Sequence, residues 1–286
     1  VTEQSEPTDR GSASGHREAD GGVGAILADL VAEQESLDEL VADLTPGQWG
    51  TPTSSEGWTI ADQIGHLAYF DVAAATAVTD PDAFGRSVSE LMSAALGGGM
   101  SVDELTLGRH RAMAPAELLA DWRRSRRELA TAAGTLTEDD RVPWYGPSMG
   151  ARSFLTARLM EAWAHGQDIA DALGLERRAS DRLRHIARLG FITRNWSYRN
   201  RGLEAPDTPV RVSLEAPSGG TWDYGPPDAP ETVEGPAVDF CLVVTQRRHP
   251  HDTDLRITGE TAREWMLLAQ AFAGPPTDVP EPGSRP

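Results

Sequence analysis

Apolar positions recur every three or four residues through the first two thirds of the chain, and every second residue in part of the last third. Residues 25–44 place Ile26, Leu27, Leu30, Val31, Leu37, Leu40 and Val41 at helical spacing. Pro46 and Gly47 then interrupt the pattern. A helix is predicted over 59–78, with Thr59 as its N-cap. Another runs over 82–96 and ends at Gly97, Gly98 and Gly99, which read as a mobile loop. Residues 115–136 open on Pro115, residues 151–173 close on Gly174, and residues 180–198 give one more helix. Four of these are long and separated by turn residues, which predicts an up-and-down bundle.

The pattern changes near Pro206. Residues 209–217 alternate apolar and polar, as a half-buried strand does. Ser218, Gly219 and Gly220 make a turn before a second strand over 221–225. A helix over 235–248, a strand over 254–259 and an amphipathic helix over 261–272 complete the chain's ordered part. The expected fold is mainly α: a bundle over 22–205, then a small α+β domain over 206–274. Residues 1–21 and 275–286 are polar or Pro-rich and read as disordered, dispensable tails. Val1 reads as an alternative start codon taken literally, and no signal peptide is recognised.

Composition narrows the function classes. The 286 residues carry 44 acidic and 26 basic side chains, a net charge of -18. Such a chain is repelled by phosphate backbones and anionic membranes, so no nucleic acid and no membrane is expected as partner. Mean hydropathy is -0.40. Every basic residue other than histidine is Arg, which excludes lysine bases and Schiff-base chemistry. The single cysteine, Cys241, rules out an intrachain disulfide and sits in an apolar run that marks it as inert. A cytoplasmic monomer or homodimer is the expectation.

The chemistry concentrates in ARSFLTARLMEAWAHGQDIADALG, residues 151–174. On a helical wheel Phe154, Arg158, Glu161, His165 and Asp168 fall within about 80° of one another. Leu155, Leu159, Ala162, Ile169 and Leu173 form an adjacent apolar stripe. Glu161 and His165, at i and i+4, can reach one point as two metal ligands. An exposed polar stripe with helix-stabilising pairs is the competing reading. In GWTIADQIGHLAYFD, residues 57–71, His66 is set among Ile60, Ile64, Leu67, Tyr69 and Phe70. It is either a third ligand or a histidine satisfied by backbone. Two histidines and one carboxylate would leave a coordination position open, as catalytic sites do. Zinc is the first choice of metal, with nickel, iron or manganese as alternatives.

These two segments resemble the DinB-like superfamily, in its mycothiol-dependent maleylpyruvate isomerase branch. WDYGPPDAPETVEGPAVDFCLVVTQRRHP, residues 222–250, resembles the C-terminal domain of an actinobacterial metal-binding group in that branch. The resemblance runs from about Gly24 to Gly274. It implies a DinB-like four-helix bundle with His66, Glu161 and His165 as metal ligands, and mycothiol as thiol cosubstrate.

Asp168, one turn past His165, is the candidate to orient that histidine, face a ligand or act as a base. Arg158 either holds a carboxylate or pairs with Glu161. Trp144, with Tyr145, either lines a pocket or anchors a loop. Arg247, Arg248 and His249 read as solvated surface, with reach to the bundle as the alternative; Arg247 joins Asp168 and Trp144 as a cofactor-binding candidate. Together these residues point to a metal-dependent transferase or isomerase. In it the metal activates a small thiol for attack on an electrophilic substrate. A hydrolase using metal-activated water and a non-catalytic binding protein are the alternatives.

Overall fold

The structure is a computed structural model and describes residues 21–97 and 99–285. All of the expected N-terminal tail but Gly21 lies outside the described residues, as does Gly98 of the glycine loop.

Four long helices form the bundle: α1 (Val23–Val41), α3 (Ile60–Thr79), α6 (Pro115–Ala133) and α7 (Ala151–Leu173). A single turn, α2 (Pro46–Trp49), joins the first two. Helix α3 packs on α6 and α7, and α1 on α7 and α6. Thr59 caps α3 through a reciprocal bond pair with Asp62. Gly174 ends α7 in the left-handed region, φ 64°, where a side chain is disfavoured. Ile60, Ile64 and Leu67 of α3 pack with Leu118, Trp122 and Ile169. The apolar stripe of α7 is buried as its periodicity predicts, with Leu155, Leu159 and Ile169 wholly inside.

A helical hairpin, α4 (Pro81–Leu96) and α5 (Val102–Arg111), is inserted between α3 and α6. Helix α5 was not expected. Its sequence is polar, but Ser101 and Glu104 form a capping box and Leu107 and His110 bury against α3. A two-stranded hairpin, β1 (Arg141–Val142) and β2 (Met149–Gly150), leads into α7. The helix expected over 180–198 is broken at Thr193 into α8 (Leu183–Ile192) and α9 (Arg194–Arg199).

The remainder is a four-stranded sheet in the order β4 (Thr221–Tyr224), β3 (Val210–Glu215), β5 (Glu231–Pro236), β6 (Arg256–Thr258). β3 pairs with β5 in parallel, and both outer strands are antiparallel to their neighbours. Leaving β4, the chain crosses the start of β3 at Gly225, φ 86°, where a Cβ would lie 2.5 Å from the Val210 carbonyl oxygen. β5 was not expected, and the helix read as starting at 235 begins at Ala237: α10 (Ala237–Val244). With α11 (Glu260–Leu268) it covers the sheet. One apolar cluster runs unbroken from Ile26, Leu159 and Trp163 through Ile186 to Val212, Phe240 and Trp265. Cys241 is buried within it, and burial pushes its thiol well above the ordinary range.

The C-terminal segment, read from composition as a disordered tail, hydrogen-bonds to the body. Thr277 exchanges hydrogen bonds with Gln246, accepts from Arg201 and donates to Gln270. The Gly283 amide donates to Asp252. Polar, Pro-rich sequence lacks a core of its own, but here it satisfies buried amide side chains of the body.

Candidate metal centre

Helices α3 and α7 cross so that His66 comes from one and Glu161 and His165 from the other. Glu161 Oε2 lies 3.2 Å from His66 Nε2 and 3.2 Å from His165 Nε2. The three donor atoms all fall within 4.8 Å of one another. A tetrahedral zinc with bonds of about 2.0–2.2 Å spaces its donors by about 3.3–3.6 Å. The donor set and its spacing therefore fit a divalent ion. Side-chain exposures of 17% for His66 and 24% for Glu161 leave one side of the cluster open.

Electrostatics prepare the donors. Burial, and then the proximity of His165, push His66 down to about 4, so its imidazole is neutral at pH 7 and offers a lone pair. Burial opposes ionisation of Glu161, yet its bonds to His165 and His66 hold the carboxyl well below the usual range.

Gln63 holds the other face of His165. Its Oε1 accepts from His165 Nδ1, which leaves Nε2 free to ligate. Its amide donates to Thr53 Oγ1 at 2.8 Å and to Ser55 Oγ at 3.1 Å, which fixes the amide's orientation. Asp168, expected to orient His165, stands 3.9 Å from Nδ1, beyond hydrogen-bond length. It is buried and bonded instead to Arg247 Nη2 at 2.7 Å and Ser54 Oγ at 3.1 Å, with Arg285 Nη1 at 3.8 Å. Burial works against its ionisation, but Arg247, His165 and Arg285 keep its carboxyl below the ordinary value.

Arg247 thus reaches the bundle, and so does Arg248, which grips Asp171 through two bonds of 2.7 and 2.9 Å. Arg248 and His249 are buried, which corrects their reading as solvated surface: α10 delivers its C-terminal end onto the flank of α7. Arg158 does not pair with Glu161. It lies nearer Asp71, with its guanidinium 5.9 Å from the Phe70 ring and 5.7 Å from the Trp144 ring. Trp144 is half-buried, stacked on Phe84 at 5.6 Å and edge-on to Tyr145 and Phe154. Phe70 links this aromatic wall to the cluster, 4.6 Å from the His66 ring.

Trp58, Gln63, Ser54 and Arg285 were missed from sequence. Gln63 carried a signal, since it precedes His66 by three residues and shares its face. Trp58 stacks over His165 at 6.1 Å and donates to Asp103 of α5 at 2.7 Å, so the unexpected hairpin buttresses the site.

Residues 30–170 match the family described as mycothiol maleylpyruvate isomerase N-terminal domain. Two uncharacterized proteins, from two strains of Mycobacterium tuberculosis, are 47% identical over 253 residues, 88% of this chain and 97% of theirs. The crystal structure of the mycothiol-dependent maleylpyruvate isomerase superposes with a TM-score of 0.52 at 20% identity, covering 80% of this chain and 90% of that one. A mutant of the same isomerase gives 0.52 at 18%. At that identity the superposition establishes a shared fold. Among the described residues no helix is long and apolar enough to cross a membrane.

Proposed function

This chain belongs to the mycothiol maleylpyruvate isomerase family, within the DinB-like superfamily, and from that premise we propose that it is a metal-dependent, mycothiol-using transferase or isomerase. The observation that carries the reading is the convergence of His66, Glu161 and His165 on one point with an open side. These three are the proposed ligands of one divalent ion, zinc by preference. Such an ion, when bound, supplies a position for a sulfur and holds a thiol deprotonated at neutral pH.

The chain's own groups do the rest. Cys241 is sealed in the core, so the nucleophilic sulfur comes from a small thiol. Gln63 holds His165 in the tautomer that ligates. Arg247, partly buried, pairs with the buried Asp168 behind the histidine, where the two fix the inner wall against which the thiol rests. Trp144 and Phe70 wall the other side and exclude water from the electrophile. Attack of the thiolate on an unsaturated carbon forms a C–S bond and turns the double bond into a single one. Rotation and elimination then return the thiol and an isomerised product; protonation instead leaves a thioether.

The test is incubation of zinc-loaded protein with mycothiol and a panel of enones, epoxides and activated carbons, read by mass spectrometry. Thiol adducts or isomerised substrate at pH values well below the ~8.5 of a free thiol are expected. Hydrolysed products without any thiol dependence would overturn the reading in favour of water activation.

A further inference from the structure

Arg158 is buried beside the proposed metal centre without adequate partners. It lies one turn before Glu161 on α7 and is 4% exposed. Its Nε and Nη2 are buried and have no hydrogen-bond partner among the described residues. The carboxylate within ion-pair range is that of Asp71, whose Oδ1 is 3.8 Å from Nη2, too far for a hydrogen bond. Asp71 is itself engaged by Gln34 Nε2 at 3.0 Å through its other oxygen. Arg248, also buried, meets its aspartate in a two-bond fork. Buried donors are ordinarily satisfied, so two orphaned nitrogens on one guanidinium call for an acceptor.

The position says where that acceptor belongs. Phe70 and Trp144 hold the guanidinium by their ring faces, and Phe70 also touches His66. The helical rise sets Arg158 about 4.5 Å along the axis from Glu161. We propose that Arg158 is the anion-binding residue of this site, and that its ligand is a short carboxylate whose reactive carbon lies a few bonds from the carboxyl group. The planar fork of arginine matches a carboxylate through two parallel bonds. The word substrate for that ligand rests on the thiol-enzyme reading; the binding itself does not.

Isothermal titration of the zinc-loaded full chain with crotonate and with crotonamide, without thiol, tests the assignment. The two probes share a skeleton and differ in charge. Crotonate should bind at least tenfold more tightly than the amide, and Arg158→Gln should lose at least tenfold for crotonate while keeping its zinc. Arg158→Lys should recover part of the loss, as a single-point cation. Asp71→Asn should tighten crotonate severalfold, because it removes the one carboxylate competing for the guanidinium. Crotonate binding unchanged in Arg158→Gln would mean that the carboxylate sits on the metal and would overturn the proposal. Weaker binding in Asp71→Asn would overturn it too, by making Arg158 a structural clamp, and this variant decides if Arg158→Gln does not fold. Arginine-dependent crotonate binding with no mycothiol chemistry would leave this inference standing and remove the thiol reading. Thiol chemistry together with equal affinity for acid and amide would do the reverse.

Discussion

Gln63 stands where the wheel diagram puts Asp168. Both lie within one turn of a histidine, but the hydrogen bond to His165 Nδ1 comes across the helix interface from α3. An in-helix neighbour at i+3 points along the same face and reaches only 3.9 Å. Gln63→Leu should therefore weaken zinc binding about 10–100-fold, the usual cost of losing a partner that orients a ligating histidine. Chelator competition reads it, and unchanged affinity would remove Gln63 from the site. Asp71 gives a pH prediction. Burial, only partly offset by Arg158, raises its carboxyl from 3.8 to about 6. The folded state thus holds that proton more tightly than the unfolded chain does. The contribution to stability is fully present below about pH 4 and is lost as pH rises through about 6. The loss amounts to about 3 kcal/mol. Urea unfolding of Asp71→Asn should show a gain of that order at pH 7 and no gain below pH 4. A pH-independent difference would show that the burial penalty is not what sets Asp71's proton affinity.

At the scale of elements, the spacing of the candidate ligands on α7 was legible because a helix's periodicity is local: Glu161 and His165 share a face whatever surrounds them. Strand β5 was not legible. Its sequence ETVEGP shows no clean alternation, and it is a strand because β3 and β6 bond it on both sides. Helix α5 likewise owes its existence to α3 beneath it. The seam between bundle and sheet is tightest where α8 meets α10. A Cβ on Gly190 would lie 2.7 to 3.0 Å from three atoms of Val244. Gly190→Ala should cost about 1–3 kcal/mol, because overpacking outweighs the ~1 kcal/mol gain in helix propensity. Chemical denaturation checks it. Adding Val244→Ala should recover part of the loss by making room, and a double variant no more stable than Gly190→Ala would show that the clash is elsewhere.

For the whole molecule, the α+β portion helps build the site. Arg247 and Arg248 tie its α10 to Asp168 and Asp171 of α7, and Arg285 brings the end of the chain to the same aspartate as Arg247. Removing residues 277–286 should therefore lower stability by about 1–3 kcal/mol, through loss of hydrogen-bond partners for buried Gln246 and Gln270. That corresponds to roughly 2–4 °C in melting temperature per kcal/mol. A truncated chain melting with the full one would return the segment to a dispensable tail. The sequence by itself determined the four long helices, the placing of Glu161 and His165 on one face and the exclusion of an internal thiol nucleophile, since residue type and short-range period suffice for each; His66 joined that pair only through the family resemblance. Only the tertiary structure decided which groups stand behind the candidate ligands. The Gln63 bond across a helix pair and the pairing of Arg247 and Arg285 with Asp168 join residues far apart in the chain, so a shared helix face can nominate Gln63 but no local pattern records its partner, nor the lack of one at Arg158.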